Sequence, residues 1–446
     1  MSVRPAAPYT EAVSDYDVIV AGAGPAGSTA ARLLAQGGAH VLLLDKHRFP
    51  RDKPCGGGVT LRAASAQGLD LSPVIERTVY GARFSLRLGP SFDRRYGKPL
   101  TYMTQRCRLD ALLAERAAEA GAAFHDGEAI REVDAPISVR AKHSLPGSAA
   151  HQSNAEEASE SDPLPGASPL HGQPGITVRT SRNTYAARVL IGADGANGVV
   201  ARSLGIATCF EEAVALEGNL AFRSGVPDEW REYVGLDLGG MAGGYGWVFP
   251  KNDHLNLGVG AWKYAGFTLR PKLAQLCRRY GFDAGELTNL RGHHLPVRIG
   301  RSPIAAGRVA LVGDAAGLID PLSGEGIHMA FASGRLAAEQ ALGVLSGETP
   351  DMEGYQQAVD RRLQPELRAS RRLQELFNFA PPPYVALMRR SEKFWLFFCH
   401  LIRGELTYLD FIRMIGPLRV ALEFFASAAE RRRLSRVAAL SAAVRS

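Results

Sequence analysis

Three glycines near the start of the chain have the spacing of a phosphate-binding turn. The turn reads GAGPAG, which fits the pattern GxGxxG. In this pattern Gly22 permits a tight turn, Gly24 lets the backbone approach a pyrophosphate, and Gly27 lets a helix pack on a strand. The N-terminus of that helix offers N–H donors to phosphates. The predicted contacts are Gly22, Gly24, Pro25, Ala26 and Gly27.

An acidic residue lies where a bound ribose needs one. Asp45 comes 18 residues after Gly27, at the end of the next predicted strand, where its carboxylate can accept hydrogen bonds from ribose hydroxyls. We include its neighbour Lys46 in the predicted site. A Gly-rich turn alone would also fit a loop without a ligand, but turn, strand, helix and acid together predict a dinucleotide.

Two later segments narrow the choice of cofactor, because the first turn alone does not distinguish NAD from FAD. The pair DG at 194–195 follows one buried strand, and the pair GD at 313–314 follows another. Both resemble the DG and GD motifs of the FAD-dependent oxidoreductases related to aromatic hydroxylases. The chain has Asn-Gly at 197–198, where that superfamily usually has a serine after the DG motif.

This resemblance implies a flavin site assembled from separated segments. It implies that Asp314, beside Gly313, binds the ribityl chain of FAD, and that Asp194 lies at the pyrophosphate. Arg106 matches a superfamily arginine near the flavin. The cofactor is therefore expected to be FAD, held non-covalently.

Three further segments narrow the family. They read KPCGGG at 53–58, YGWVFPK at 245–251 and DPLSGEGI at 320–327. In this order they resemble the geranylgeranyl reductase family, and the resemblance runs from about Tyr16 to Phe377. It implies an FAD-dependent reductase that saturates C=C bonds of a polyprenyl, geranylgeranyl-type chain by hydride transfer from reduced flavin.

Alternating aromatic residues are the candidate substrate wall. Tyr245, Trp247 and Phe249 stand at i, i+2 and i+4, so in a strand they point to one face. The spacing alone favours an ordinary aromatic core. The family resemblance favours a wall against a long apolar substrate, together with Gly57.

The proton donor is left open by the sequence, with Cys55, Tyr245 or an ordered water as candidates. Three glycines follow Cys55, which predicts a mobile loop near the flavin, and a non-catalytic thiol fits equally well. Near the GD motif, Gly324, Gly326 and Ile327 are expected to present backbone N–H groups to the flavin pyrimidine ring and to stabilise negative charge there.

No metal site is predicted. The five cysteines are widely spaced without a CxxC pair, which favours free thiols in a reducing compartment. The pair His293-His294 lacks HExxH spacing, so a structural or surface position is expected for it.

The electron donor is expected to dock transiently, because only one GxGxxG is present. NADPH and a ferredoxin-type carrier both fit. Three other functions stay open on the same scaffold: a flavin monooxygenase or halogenase, a carotenoid-cyclase-like isomerase without net redox change, and a non-catalytic flavin sensor. The Phe-Pro-Lys end of the aromatic segment departs from the WxWxIP segment of halogenases and favours the reductase.

Apolar stretches place these motifs on elements. Tyr16–Ala21 and His40–Asp45 are predicted strands around a helix over Ser28–Gln36, which makes a βαβ unit. Val189–Gly198 and Arg308–Gly313 each begin with a buried strand. A long Ala-rich helix is expected from about residue 324.

The rest of the chain divides by composition. Ala129–Val139 and Ile176–Arg188 alternate like the strands of a hairpin, and the Ser/Ala/Pro/Gly-rich stretch 141–174 between them predicts a disordered insertion. The fold class is α/β, with a glutathione-reductase-type Rossmann FAD domain. Its predicted parts are an FAD-binding domain over 15–82, 101–210 and 298–350, a mostly antiparallel-sheet substrate domain over 83–100 and 211–297, and a helical region over 351–446, broken at Pro381–Pro383 and Gly416-Pro417.

Charge is concentrated at the C-terminal end. The chain carries a net charge of +7, whereas residues 355–446 hold 16 Lys and Arg against 8 Asp and Glu. This basic, aromatic region fits either a solvated helical face or an anionic membrane surface. Phe394–Phe398 and Phe424-Phe425 are expected to cover a substrate tunnel or to dip into lipid. With no signal peptide, membrane span or nucleic-acid motif recognised, a cytoplasmic protein is expected, with peripheral membrane contact and an undetermined oligomeric state.

Overall fold

The computed structural model describes residues 14–137, 175–222 and 225–445. The predicted disordered insertion at 141–174 lies outside the described residues. The strands are β1 (Ser14–Ala21), β2 (Val41–Leu44), β3 (Gly58–Thr60), β4 (Arg77–Val79), β5 (Gly81–Leu86), β6 (Phe92–Arg95), β7 (Thr101–Met103), β8 (Ala123–His125), β9 (Ile130–Asp134), β10 (Ile176–Thr180), β11 (Thr184–Gly192), β12 (Phe210–Ala221), β13 (Tyr233–Met241), β14 (Gly244–Pro250), β15 (His254–Trp262), β16 (Thr288–Arg298), β17 (Ala305–Ala306) and β18 (Val309–Leu311).

The α-helices alternate with these strands in the first half of the chain and fill its end. They are α1 (Pro25–Gln36), α2 (Leu61–Gln67), α3 (Arg106–Glu119), α4 (Val200–Ser203), α5 (Leu269–Arg279), α6 (Ile327–Ser346), α7 (Glu353–Arg362), α8 (Gln364–Phe379), α9 (Pro381–Arg390), α10 (Glu392–Arg403), α11 (Tyr408–Met414) and α12 (Leu418–Arg445).

A Rossmann sheet brings the cofactor motifs to one edge. Its strand order is β17-β18-β11-β1-β2-β8, and β1 runs parallel to both β2 and β11. The sequence of β1 is apolar on both faces, and Val18, Ile19 and Val20 are fully buried, as in a sheet with helices on both sides. The predicted βαβ unit is confirmed as β1, α1 and β2. Since parallel strands end at the same edge, the turns that follow them lie together.

The predicted strand Ile176–Arg188 is wrong as a single strand. The structure divides it into β10 and the start of β11, which pair antiparallel around a tight turn. The Thr180 hydroxyl accepts hydrogen bonds from the N–H groups of Arg182 at 3.1 Å and Asn183 at 2.9 Å, and these bonds fix the turn. The first half of the predicted hairpin is confirmed, because β9 pairs antiparallel with β10.

A second sheet of seven strands forms the substrate side, in the order β16-β12-β15-β14-β13-β5-β6. Its pairs are antiparallel except for β5 and β13, which run parallel. These two strands are far apart in sequence, so no tight hairpin forces them to run antiparallel. Helix α5 packs on this sheet through Leu273 and Leu276, and a small sheet of β3, β7 and β4 joins it to the Rossmann part. The sequence analysis predicted neither helix α5 nor the small sheet.

The C-terminal helices cover the open face of the second sheet. Trp395 and Cys399 of α10 and Met388 of α9 pack in one apolar cluster with Phe84 and Val234 of the sheet. Breaks between helices fall at the predicted prolines, after α8 and before α12. The α/β class with its FAD domain, sheet domain and helical C-terminal region is therefore confirmed, while the exact domain boundaries stay predictions.

Candidate active site

One continuous cavity of about 510 Å³ runs from the Rossmann edge to the space between the second sheet and the C-terminal helices. Its Rossmann end is lined by backbone turns and charged side chains, including Gly24, Pro25, Ala26, Lys53, Arg106, Ala193, Gly195, Gly313, Asp314, Gly324, Gly326 and Ile327. Its other end is lined by apolar and aromatic side chains, including Val79, Ala82, Phe84, Leu100, Val234, Leu236, Leu238, Met388, Phe394, Phe397, Phe398, Leu401, Ile402 and Phe411.

The glycine turn has the close approaches that its sequence predicts. Gly22 has φ 109°, and a Cβ there would lie 2.4 Å from the carbonyl oxygen of Ala193. A Cβ on Gly27 would lie 1.9 Å from the carbonyl oxygen of Gly22, so the start of α1 packs directly on the turn. At Gly24, by contrast, a Cβ would meet only Arg51 Nη2, at 3.6 Å. The cradle therefore leaves space for a pyrophosphate at Gly24, as FAD requires.

Asp45 lies beside this turn. Its carboxylate accepts the Ala23 N–H and the His47 N–H, each at 2.9 Å, and Arg51 Nε lies 3.5 Å from it. Asp45 thus ties β2 to the turn. Lys46 is exposed, and neither Asp45 nor Lys46 is among the residues that line the cavity.

Asp314 is the most strongly paired acid in the cavity wall. Its carboxylate lies 2.8 Å from Lys53 Nζ and 3.8 Å from His293 Nε2. Burial alone would raise the pKa of Asp314, but Lys53 and His293 outweigh it and hold the pKa well below its usual range. The acid is therefore an anion that can accept hydrogen bonds from ribityl hydroxyls.

The sequence predicts a structural or surface position for His293, whereas the structure places it in the cavity wall. The reason is the register of β16 on β12, which pairs His293 with Ala215, and Ala215 also lines the cavity. His293 Nε2 is buried beside the Asp314 carboxylate, at 3.8 Å, without a hydrogen bond to any described residue.

Asp194 and Arg106 are both engaged within the protein. The Asp194 carboxylate accepts the N–H groups of Val199 at 2.6 Å and Val200 at 2.9 Å, so it fixes the start of α4. Its neighbours Ala193 and Gly195, not its side chain, line the cavity. Arg106 makes a buried two-bond pair with Asp110, at 2.8 and 2.7 Å.

The three aromatic residues of β14 form one face, as predicted. Ring centroids lie 6.1 Å apart for Tyr245 and Trp247 and 6.2 Å apart for Trp247 and Phe249, and all three side chains line the cavity. Trp247 Nε1 donates to Asn256 Oδ1 at 2.8 Å, and the Tyr245 hydroxyl donates to the Ser323 carbonyl at 2.5 Å. The first bond fixes the wall against β15, and the second fixes it against the loop that follows Asp320.

Hydrogen bonds anchor the Cys55–Gly58 loop to its neighbours, whereas the sequence predicts a mobile loop. The Cys55 N–H donates to Glu217 Oε1 at 2.7 Å, and Lys251 Nζ donates to the Gly56 carbonyl at 2.6 Å. Gly57 has φ 65°, and a Cβ there would lie 2.0 Å from the Thr104 carbonyl oxygen. Gly57 is needed because the loop lies directly on the Thr104 carbonyl at this position.

Glu217 lines the cavity and Lys251 is buried against Gly56, and the sequence analysis gave neither residue a role. Burial raises the pKa of Glu217 to about 7, although the Cys55 N–H and Lys251 pull it down. Burial lowers the pKa of Lys251 to about 8, against the pull of nearby Cys55, Glu76 and Glu217. The available signal was an acid within the mostly apolar run AVALEGNLA of β12, and the lysine that ends the aromatic segment.

A second acid lies in the flavin-side loop. The Thr60 hydroxyl donates to Glu325 Oε1 at 2.6 Å, and burial raises the pKa of this carboxyl to about 7, although the Thr60 bond lowers it. Gly324, with φ 70°, has open space beside it, since a Cβ there would meet only the Tyr245 hydroxyl, at 4.0 Å. Space at this loop fits a flavin ring.

Known proteins resemble the chain along most of its length. The family model described as FAD binding domain matches residues 15–135. A chloroplastic geranylgeranyl diphosphate reductase of Nicotiana tabacum is 31% identical over 384 residues, which cover 83% of this chain and 76% of that protein. A menaquinone reductase of Mycolicibacterium smegmatis is 32% identical over 343 residues, which cover 72% and 75%.

Two solved structures share the fold. A geranylgeranyl bacteriochlorophyll reductase-like protein of Thermoplasma acidophilum superposes with a TM-score of 0.66 and 24% identity, covering 88% of this chain and 98% of that one. A flavin-dependent brominase superposes with a TM-score of 0.65 and 17% identity, covering 95% and 100%. At these identities the two structures show the fold alone.

Proposed function

Because the chain belongs to the geranylgeranyl reductase family of FAD-dependent oxidoreductases, we propose that it saturates C=C bonds of a polyprenyl, geranylgeranyl-type chain. The observation that carries this proposal is the continuity of the cavity. Its Rossmann end has the glycine cradle and Asp314, and its other end is walled by aromatic and aliphatic side chains. A long apolar chain lying there would reach the flavin.

The lining of the far end favours an apolar substrate of some length. Phe394, Phe397 and Phe398 of α10 and Phe411 of α11 face it, and the rings of Phe397 and Phe411 lie 4.6 Å apart. Such a lining excludes water. A weakly polarised alkene needs this dry environment if it is to be held close to its reductant. Tyr245, Trp247, Phe249 and Gly57 are the proposed substrate contacts nearest the flavin.

Reduced FAD, when bound, supplies the hydride, and the protein has to supply the proton. We assign the proton to the Glu217 carboxyl. Across the sheet, Glu217 pairs with Gly258, and Gly258 pairs with Trp247, so the acid lies beside the aromatic wall. The alkene gains hydride on one carbon and the Glu217 proton on the other, and the carboxylate then regains a proton from solvent. Cys55 and Tyr245 line the same cavity and are the alternative donors.

The electron donor in this proposal docks transiently, either NADPH or a ferredoxin-type carrier. The chain has a single GxGxxG turn, and that turn is assigned to FAD. Anaerobic stopped-flow reduction of the FAD-loaded protein by each donor would identify it.

The central experiment is anaerobic turnover of the FAD-loaded protein with a geranylgeranyl substrate, followed by mass spectrometry. We expect one dihydrogen to be added per reduced double bond, with no requirement for O₂. Turnover that needs O₂ would favour the monooxygenase or halogenase, product of unchanged mass would favour the cyclase-like isomerase, and flavin reoxidation without any product would favour the sensor. Free diphosphate, lipid-linked and quinone-linked chains should be compared, since the cavity argues for the chain and not for its head group.

We also propose that the protein works at a membrane surface, where polyprenyl chains are found. Among the described residues, no helix combines the length and the apolar character needed to cross a bilayer. We propose peripheral contact by a cytoplasmic protein.

A further inference from the structure

An apolar segment stands exposed where α11 ends and α12 begins. This docking segment, residues 413–425, reads RMIGPLRVALEFF. Met414 is 61% exposed, Leu418 68%, Val420 70%, Phe424 63% and Phe425 54%. Water contact with so many large apolar side chains within one short stretch is unfavourable, and a cluster of this kind marks an interaction surface.

The same surface is basic. Arg413 is 74% exposed, although it lies 3.4 Å from Asp410, and Arg419 is exposed within the docking segment. The one acid of the segment, Glu423, lies 3.1 Å from Arg372. The docking segment therefore presents cations around exposed apolar side chains.

We propose that the docking segment binds an anionic lipid bilayer and inserts Leu418, Val420, Phe424 and Phe425 among the head groups. Apolar side chains surrounded by arginines are the composition that binds such a surface, because burial and charge attraction add. The inference deepens the proposed function, on which it rests for the source of the polyprenyl chain. Binding itself does not depend on that function.

A bilayer fits this surface better than a second copy of the chain. An isologous contact through the docking segment would bring Arg413 and Arg419 of both copies into one interface, where their like charges repel. Anionic lipid head groups meet the same cations with opposite charge.

The helices next to the docking segment also form the tunnel wall. On α10, Phe394 and Phe397 line the cavity, while Lys393 and Leu396 of the same helix are exposed. The layer between tunnel and solvent on this side is thus one helix thick. A chain drawn from a bilayer bound here would have a short path to the tunnel.

Vesicle sedimentation of the full-length, FAD-loaded protein tests the proposal. We expect binding to vesicles of phosphatidylglycerol and phosphatidylcholine in equal parts, weaker binding in high salt, and little binding to phosphatidylcholine alone. Phe424→Ser with Phe425→Ser should lower the partition coefficient by at least about tenfold. Arg413→Gln with Arg419→Gln should lower it by about fivefold for each cation.

Two matched controls separate the docking segment from the rest of the surface. Phe267 is 82% exposed and Arg231 is 64% exposed, and both lie on the sheet side, so Phe267→Ser and Arg231→Gln should bind vesicles like wild type. Equal binding by all variants, or no binding to anionic vesicles, overturns the proposal. Self-association that depends on concentration and is lost in the Phe424/Phe425 variant would also overturn it, in favour of a second copy.

Activity measurements keep the two proposals apart. The Phe424/Phe425 variant should keep wild-type turnover on a detergent-dispersed geranylgeranyl substrate and lose it on the same substrate embedded in anionic vesicles. If no variant or wild-type protein reduces either substrate, the proposed function fails, while the vesicle-binding result still decides the docking surface.

Discussion

Glu217 is an acid on a sheet strand whose cavity-facing neighbours are alanines. Ala213, Ala215 and Glu217 alternate on the cavity face of β12, and the Cys55 N–H donates to the Glu217 carboxylate at 2.7 Å. Its environment gives it a pKa suited to an acid that works at neutral pH, since burial raises that pKa to about 7.

The first prediction concerns this carboxyl. Glu217→Gln should lower kcat for alkene reduction by roughly 10² to 10⁴. Only the protonated carboxyl of Glu217 can donate a proton, and its pKa is raised to about 7. Wild-type activity should therefore be full below about pH 7 and fall as the pH rises through this pKa. That decline should disappear from the residual activity of the variant. The measurement is the pH profile of turnover by the FAD-loaded protein.

A neighbouring acid on the same strand serves as the control. Glu212 is partly exposed and pairs with Lys263, so Glu212→Gln should keep the wild-type profile. Flavin absorbance should show equal FAD content in all three proteins. An unchanged pH profile in Glu217→Gln would assign the proton to another donor, with Cys55 and Tyr245 next to be tested.

Asp314 is the second residue for which the structure makes a quantitative prediction. Lys53 and His293 keep its carboxylate charged, and hydrogen bonds to a charged acceptor contribute about 1.5–3 kcal/mol. Asp314→Asn should therefore weaken FAD binding by about ten- to a hundredfold in a fluorescence titration of apoprotein. Asp228→Asn, at an 89% exposed site, is the control. Wild-type FAD affinity in Asp314→Asn would remove Asp314 from the cofactor site.

At the scale of elements, the Cys55–Gly58 loop depends on a backbone conformation that glycine allows. Gly57→Ala would put a Cβ 2.0 Å from the Thr104 carbonyl oxygen at φ 65°, so the loop has to move away from Glu217 and Phe249. We expect a loss of about 1–3 kcal/mol in the free energy of unfolding and a lower turnover, measured by urea denaturation and by the reductase assay.

The adjacent glycine gives a control within the same loop. At Gly58 a Cβ would meet Met103 Cε at 3.6 Å, an ordinary contact. Gly58→Ala should therefore keep stability and turnover close to wild type. Equal effects of the two substitutions would mean that the loop does not need the backbone conformation that Gly57 provides.

The sequence predicted elements well where their signals are local. The turn at Gly22, the strand before Asp45 and the helix breaks near Pro381 each depend on a few neighbouring residues, and the structure has them. The single strand over Ile176–Arg188 was wrong because apolar alternation continues on both sides of a short turn. Only the hydrogen bonds of Thr180 reveal that turn.

Contacts between distant segments could not be predicted from the sequence. Cys55 and Glu217 are 162 residues apart, and Lys53 and Asp314 are 261 apart. A lone acid in a strand or a histidine in a pair has no local pattern that marks it, because its role depends on which strand lies beside it. The resemblance supplied Tyr245 and Cys55, whereas Glu217 and His293 required the fold.

At the scale of the whole molecule, three parts of the chain enclose one space. The Rossmann edge contributes the glycine cradle, the second sheet contributes the aromatic wall, and the C-terminal helices close the far end. No part is sufficient alone, because the sheet face would be open to water without α9 and α10. The length of the tunnel thus depends on all three parts of the protein together. It should set the length of the polyprenyl chain that is reduced.

The final prediction tests that relation by shortening the tunnel from the sheet side. Leu238 lines the cavity on β13, one strand beyond the aromatic wall of β14, so Leu238→Trp should fill space that only the distal part of a long substrate needs. We expect kcat/KM for a geranylgeranyl substrate to fall by about tenfold, the scale of an overpacking penalty, while that for a geranyl substrate stays close to wild type. Leu290→Trp, at a 40% exposed site, is the control. A parallel loss for both substrates would place Leu238 beside the reacting bond, and no loss for either would mean that the chain takes a different path.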